Sequence, residues 1–251
     1  MSKLQQDFTQ GSISSHLIKF ALPFLMANLL QALYSVADMM IVSWMCGTNS
    51  MSGVNIGGQI TQMIMMLVSG LTVGGTVLVG QYYGARQDEE VKRTIGTMLS
   101  LLTIMGIVLM AIMLIACDGA LRLLNTPEES FSEAHNYLVI SLWGTLCVFW
   151  YNALSSIQRG MGDSKRPLIF VAIACVVNVG LDLLMVGPWQ MGASGAALAT
   201  IISQGISVLL CAGYLGTHGF IFDFKPSSFK IHGDKVKLLI KIGLPSSVQS
   251  F

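Results

Sequence analysis

Charge is the scarcest commodity in this chain. Of its 251 residues, 11% are Asp, Glu, Lys or Arg, less than half the roughly 25% usual in soluble domains. From Met39 to Ala85 there is no Asp, Glu, Lys or Arg at all. That excludes a single buried core helix and fits two passages through a bilayer joined by a turn, because about 20 apolar residues span the ~30 Å hydrocarbon core. The charges present nearly cancel, leaving a formal net charge of +1, so nothing points to nucleic acid or to an acidic partner. The five cysteines (Cys46, Cys117, Cys147, Cys175 and Cys211) form no CxxC and no Cys/His cluster, and the spacing predicts neither disulfides nor zinc but small apolar packing residues. Signatures of catalysis are missing too. Gly160-Met-Gly162-Asp163-Ser164-Lys165 resembles a phosphate loop only superficially, lacking the GxxxxGK[ST] spacing and a preceding strand. His16, His135, His218 and His232 stand apart near segment ends or in loops, and no nucleophile elbow, zincin motif or nucleotide-binding domain occurs. The expectation is a protein that is not an enzyme.

What fills the chain instead is apolar residue, 53% of the total. The fold class expected is all-α: a polytopic membrane protein with a six-helix transmembrane bundle plus the start of a seventh helix. The six apolar segments run over residues 14–44, 51–83, 91–116, 131–157, 166–187 and 193–216, and a further one starts near Asp234. Gly, Pro, Asn and Asp mark the connections GTNS, GARQDEE, DGALRLLNTPEES, QRGMGDSKRP and PWQMG as turns. The polar N-terminus precedes an apolar run too long for a cleaved signal peptide, so it is expected to be retained. Lys and Arg set the orientation. Thirteen of the fourteen, beginning with Lys3 and Lys19, flank the start or fall in or beside the even-numbered connections, and only Arg122 falls on the other side. The positive-inside rule then puts the N-terminus and the even connections in the cytoplasm, in a bacterial-type inner membrane.

The second segment is rich in glycine, and Gly53-xxx-Gly57 and Gly70-xxx-Gly74 have the small-xxx-small spacing that lets helices approach closely in lipid. Met63, Met65, Met66, Met105, Met110 and Met113 read mainly as lipid-facing or core residues, with an adaptable ligand wall as the sharper alternative. Lys241-Ile-Gly-Leu-Pro245 repeats Lys19-Phe-Ala-Leu-Pro23, and both open an apolar segment, the kind of faint self-similarity found in transporters built from repeats. The organisation expected is therefore 1–216 as an N-terminal lobe, 217–233 as a cytoplasmic inter-lobe linker and 234–251 as the truncated start of a second lobe.

Two carboxylates interrupt the apolar segments. Asp38 lies six residues before Trp44, and Asp182 five before Gly187. Both segments run from inside to outside, so the two sit at similar depth, about 8–9 Å from the outer ends. A carboxylate there costs roughly 2.5–3.5 kcal/mol on insertion scales and normally faces the bundle interior. Asn178, four residues before Asp182, shares its helix face. Two carboxylates and an amide at one depth offer hard oxygen ligands for Na⁺, or a pair that binds a proton; the plainer alternative is that each Asp hydrogen-bonds a neighbouring helix. Asp118, before Gly119, reads as a cap at the outer boundary of the third segment. Pro23, fifteen residues before Asp38, removes a backbone hydrogen bond and kinks the first helix, as a static bend or as a hinge.

Taken in order, these motifs resemble the N-terminal half of multidrug and toxic compound extrusion (MATE) transporters across essentially the whole chain. The resemblance rests on Leu22-Pro23 with Gln31, Tyr34 and Val36-Ala37-Asp38; on Gly80-Gln81-Tyr82-Tyr83-Gly84-Ala85; on Gln158-Arg159-Gly160-Met161-Gly162-Asp163-Ser164; on Asn178-Val-Gly-Leu-Asp182; and on the run from Gly192 to Gln204. It implies twelve helices in two lobes and exchange of Na⁺ or H⁺ for organic cations and other amphipathic drugs. It also implies an ion site at Asp38, Asn178, Asp182 and Thr200, cavity-lining Gln31 and Tyr34, and Pro23 as the bending residue. No cofactor beyond the coupling ion is implied. The partners expected are drug-like small molecules, the bilayer and the missing C-terminal lobe, in a protein that is monomeric at full length. Rival readings are a flippase for lipid-linked oligosaccharides or polysaccharides, which would use basic cavity residues, and an uncoupled channel or structural membrane component.

Overall fold

The computed structural model describes residues 13–217 and 220–249. Lys3 and His218 lie outside them, as do the side chains of His16 and Lys19. Every regular element among the described residues is helical, as lipid requires of a segment that must satisfy its own backbone hydrogen bonds. The first, α1, runs Ile13–Gly84, a nominal 72 residues. At 1.5 Å per residue that would be about 108 Å, several bilayers long. It is two antiparallel passages joined at Gly47, whose φ of 84° and ψ of −174° leave the helical region and suit only glycine. The remaining helices are α2 (Asp88–Leu123), α3 (Glu128–Gly160), α4 (Lys165–Val186), α5 (Gly192–Thr217) and α6 (Gly233–Gln249), with one 3₁₀ turn at Pro226–Ser228 before the last. The two arms of α1 with α2 to α5 make the six-helix bundle, and α6 begins a seventh. Pro23 sits within helical backbone, since the only non-helical φ/ψ in α1 is at Gly47.

Contacts along the helices fix their directions. The second arm of α1 lies parallel to α3 with a steady offset of eighty residues. A Cβ on Gly53 would meet Glu133 and Ala134, the Thr76 hydroxyl donates to the Ser156 carbonyl at 3.2 Å, and Gly80 abuts the Gly160 carbonyl. These pairings extend over 27 residues, about 40 Å of helix. The first arm lies parallel to α4, where the Cys175 thiol points at the Leu30 carbonyl and the Cys46 thiol at the Val186 carbonyl. Neighbours α2 and α3 run antiparallel, joined by the Trp150 indole donating to the Thr103 hydroxyl at 3.0 Å. Helices α4 and α5 do likewise, through Ser207 to the Phe170 carbonyl at 3.4 Å.

The core is built where these helices cross, from Ile95, Leu99, Leu138, Phe149, Leu154 and their neighbours, all fully buried. The outward stripe of the first arm (Leu22, Leu25, Leu29, Leu33, Val36, Met40 and Trp44) is exposed, as a face turned to lipid or to another apolar surface must be.

Alternating directions gather the basic connections at one end. There α6 docks on the second arm of α1. Its Gly243 meets Gly70 and Gly74 in close backbone approach, so the Gly70-xxx-Gly74 stripe packs this helix pair. Lys235, only 3% exposed, reaches Glu90 at 2.5 Å, donates to the Tyr82 hydroxyl at 2.8 Å and stands 4.1 Å over the Tyr82 ring. The preceding segment is folded against α2, with Phe222 buried among Phe220, Phe224 and Phe229, and the Thr97 hydroxyl donating to the Lys230 carbonyl at 3.3 Å.

Two expectations change. Helix α2 does not end at Ala116 with Asp118 as its cap. It continues to Leu123, because Leu121 is buried in the core and the good helix formers around it keep the turn going, so Asp118 lies inside the helix. His135 and His232 are not isolated either: His135 Nε2 faces Asp118 at 3.4 Å, and His232 Nδ1 lies 3.3 Å from the Thr97 hydroxyl. Both partners come from a different helix, beyond the reach of local sequence.

Candidate functional site

Asp38 stands on the first arm of α1, Asn178 and Asp182 on α4, and Thr200 on α5. The parallel packing of the first arm on α4 and the antiparallel packing of α4 on α5 bring them together. Asp38 is 6% exposed, Asn178 1% and Asp182 0%. The Asn178 amide is directed at the Thr200 hydroxyl at 3.4 Å, long for a hydrogen bond. Beyond that contact the site's oxygens are bare: Asp38 Oδ1, Asn178 Oδ1 and both carboxylate oxygens of Asp182 are buried with no hydrogen-bond partner among the described residues. Asp38 lies within electrostatic reach of Asp182 and of the hydroxyls of Tyr34 and Tyr137.

Such an arrangement is costly as it stands. A buried unsatisfied polar group costs about 1–3 kcal/mol, and more when charged. Native interiors leave few such groups, and those that persist are explained by an ordered water, a bound ion, stored strain or a catalytic role. Among the described residues, Asp182 makes no hydrogen bond to a neighbouring helix, and neither does Asp38 Oδ1. Oxygens of two carboxylates, an amide and a hydroxyl form a set suited to a hard monovalent cation or to a shared proton.

Beside these residues opens a cavity of about 820 Å³. Gln31, Tyr34, Asp38 and Thr200 line it, whereas Asn178 and Asp182 lie behind its wall. Asp38 and Thr200 are thus common to the cavity and to the oxygen cluster, and Asp38 brings the charge. Pro23 does not line the cavity; it lies further down the same arm, about four turns from Asp38. Sequence reasoning missed Tyr137, Asn152 and Gln204, which complete the wall from α3 and α5. It also missed Asn55, Gln59 and Gln62 from the second arm of α1, where the Gln59 amide donates to Asn55 Oδ1 at 2.8 Å. Their i, i+4, i+7 spacing is a polar stripe on one helix face, readable in principle in a segment without charge. Met65 and Met66 line the cavity, while Met105, Met110 and Met113 pack against the core and Met63 is exposed. Among the described residues, the only formally charged side chain on the wall is Asp38, amid amides, hydroxyls and thioethers.

Fold and site together define a class: an all-α bundle of membrane-length apolar helices, with a polar cavity and a buried carboxylate cluster at its edge. A family model described as MatE matches residues 23–184. The chain belongs to the MatE family. Among its curated relatives, the probable multidrug resistance protein YpnP of Bacillus subtilis (strain 168) is 31% identical over 243 residues, covering 97% of this chain and 54% of that protein. The multidrug export protein MepA of Staphylococcus haemolyticus (strain JCSC1435) is 22% identical over 241 residues, with 95% and 53% covered. Among solved structures, the crystal structure of MATE in the bent conformation superimposes with a TM-score of 0.88 at 26% identity, covering 96% of this chain and 54% of that one. The chain spans about half the length of the curated relatives it matches.

Proposed function

We propose that this chain supplies the N-terminal lobe of a secondary active multidrug exporter that exchanges Na⁺ or H⁺ for organic cations and amphipathic drugs by alternating access. In this reading residues 1–216 form the lobe, 217–233 the cytoplasmic linker and 234–251 the start of the second lobe. The observation that carries it is the cluster of bare, buried oxygens on Asp38, Asn178 and Asp182 at the edge of the cavity. The coupling ion enters from outside and binds among Asp38, Asn178, Asp182 and Thr200. A cationic or amphipathic drug sits against Gln31, Tyr34 and the amide stripe, drawn by the one negative charge on the wall. Because Asp38 belongs to both sites, ion binding cancels the charge that held the drug, and the two species compete. Pro23 leaves the Lys19 carbonyl without its helical donor, which lowers the cost of bending the first arm as Asp38 changes partner.

A flippase for lipid-linked oligosaccharides would hold a pyrophosphate with basic side chains, and none is among the residues lining this cavity. The test is ethidium efflux from cells expressing the full-length gene, parent against Asp38→Asn, under imposed Na⁺ and pH gradients. Asn keeps the size and removes the charge. The expected result is efflux by the parent and its loss in the variant at equal membrane expression, with the effective gradient naming the ion. Normal efflux by a well-expressed variant overturns the ion-site role of Asp38, and failure of the parent to export under any gradient overturns the exporter reading.

A further inference from the structure

The end of the bundle opposite the basic connections carries a second cluster that the transport reading does not use. Cys117 and Asp118 stand on α2 one turn and a half before its C-terminus, and His135 stands two turns into α3. The antiparallel packing of these helices sets them face to face across the short connection after Leu123. The Cys117 Sγ, a carboxylate oxygen of Asp118 and a ring nitrogen of His135 all lie within 4.8 Å of one another. The sequence hides the grouping, because its ligands come from two helices and match no Cys/His motif.

We propose that Cys117, Asp118 and His135 form a binding site for a borderline divalent transition ion, with Zn²⁺ as the natural occupant. Three observations support it. The first is the spacing of His135 Nε2 and Asp118 Oδ1, 3.4 Å. A charge-assisted hydrogen bond would close to about 2.7–2.9 Å. Two ligands about 2.0–2.2 Å from one tetrahedral ion stand roughly 3.3–3.6 Å apart. The pair stands within ion-pair range, longer than a close charge-assisted hydrogen bond and at the separation that two ligands of one tetrahedral ion take. The second is the donor set: one thiol, one carboxylate and one imidazole select Zn²⁺, Co²⁺ or Ni²⁺ over Mg²⁺ or Ca²⁺, which prefer oxygen alone. The third is access. The Asp118 and His135 side chains are 65% and 39% exposed, while Cys117 closes the inner side from the core.

An ion held there would clamp the outer ends of α2 and α3 across their connection, leaving a fourth position for water. Binding requires loss of the Cys117 proton to solvent, so affinity increases with pH. The site is separate from the ion-coupling cluster, and its test does not depend on transport.

The test is Co²⁺ titration of the purified full-length protein, isolated without a polyhistidine tag and followed by absorption. The expected result is one Co²⁺ per chain at this site, with a near-ultraviolet thiolate-to-cobalt charge-transfer band that Zn²⁺ displaces. Cys117→Ser removes the band, and His135→Gln weakens binding by roughly tenfold or more, the cost of disturbing even an outer-shell partner. His135 is on the surface, so His135→Gln keeps the test valid even where Cys117→Ser fails to fold. A companion measurement is the melting temperature, which limiting Zn²⁺ should raise in the parent and raise less in His135→Gln. Absence of the charge-transfer band in the parent, or a Co²⁺ affinity and a Zn²⁺-dependent melting shift at limiting metal that are unchanged in His135→Gln, overturns the proposal.

Discussion

Asp182 is the residue whose environment is hardest to reconcile with a purely structural role. It is wholly buried, and neither carboxylate oxygen has a partner among the described residues. Asp38 at least touches the cavity; Asp182 does not. A buried carboxylate without a partner carries a desolvation penalty, and an apolar side chain of similar volume does not. The prediction is therefore that Asp182→Leu raises the melting temperature of the full-length protein in Na⁺-free buffer by a few degrees. The same variant loses any increase in melting temperature that Na⁺ or acid gives the parent, because a ligand stabilises only through the site that binds it. A carboxylate serving as packing glue would give the opposite sign, a lower melting temperature. Asn178 is the control beside it: its amide already faces Thr200, so Asn178→Leu leaves that hydroxyl unpaired and should destabilise where Asp182→Leu does not.

At the scale of the elements, the eighty-residue register between the second arm of α1 and α3 is what shapes the cavity. It brings Gly57 against Tyr137, where a Cβ would lie 2.6 Å from the ring, while Gly58 next to it faces open space on the cavity wall. Gly57→Ala should thus push Tyr137 off the wall and cost about 1–3 kcal/mol, as overpacking does. Gly58→Ala should be neutral or stabilising by about 0.4–1 kcal/mol through the unfolded state. Thermal denaturation of the two variants in detergent, each against the parent, decides it; equal effects would show that the register is not tight. The passages themselves were legible in the sequence, because a run without charge that is two bilayers long admits few other structures, and so were Asp38 and Asp182, whose charge stands out against it. The break at Gly47 was legible as a turn, GTNS. The register was not, since Gly53 and Gly57 announce a close approach without saying to which helix. The amide stripe Asn55, Gln59 and Gln62 was overlooked because neutral polar residues stand out less than charges among glycines. The meeting of Asp118 with His135 was invisible for another reason: seventeen residues and a helix turn separate them, and only the pairing of α2 with α3 closes that gap.

For the molecule as a whole, alternating helices separate two ends of opposite character. One carries the connection after Gly84, the connection after Gly160 and the docked segment before α6, where Arg86, Lys92, Arg93, Lys165, Arg166, Lys225 and Lys230 gather. The other carries the connections at Gly47, after Leu123 and after Val186, with Arg122 its lone basic residue and Glu128, Glu129 and Asp118 nearby. Positively charged connections are retained in the cytoplasm during insertion, so the basic end should face inward and the oxygen cluster should lie nearer the outside. Under the proposed exchange, that orientation would decide which gradient loads the site: ions from outside would meet Asp38 and Asp182 after crossing only a short depth of protein. The orientation can be read directly from two exposed positions, Gln87 at the basic end and Glu129 at the other. In full-length protein whose native cysteines have been replaced, a membrane-impermeant maleimide applied to intact cells should label Glu129→Cys and spare Gln87→Cys, and permeabilised cells should label both. The reverse pattern would invert the lobe, place the oxygen cluster toward the cytoplasm, and remove an inward-directed ion gradient as the driving force of the proposed export.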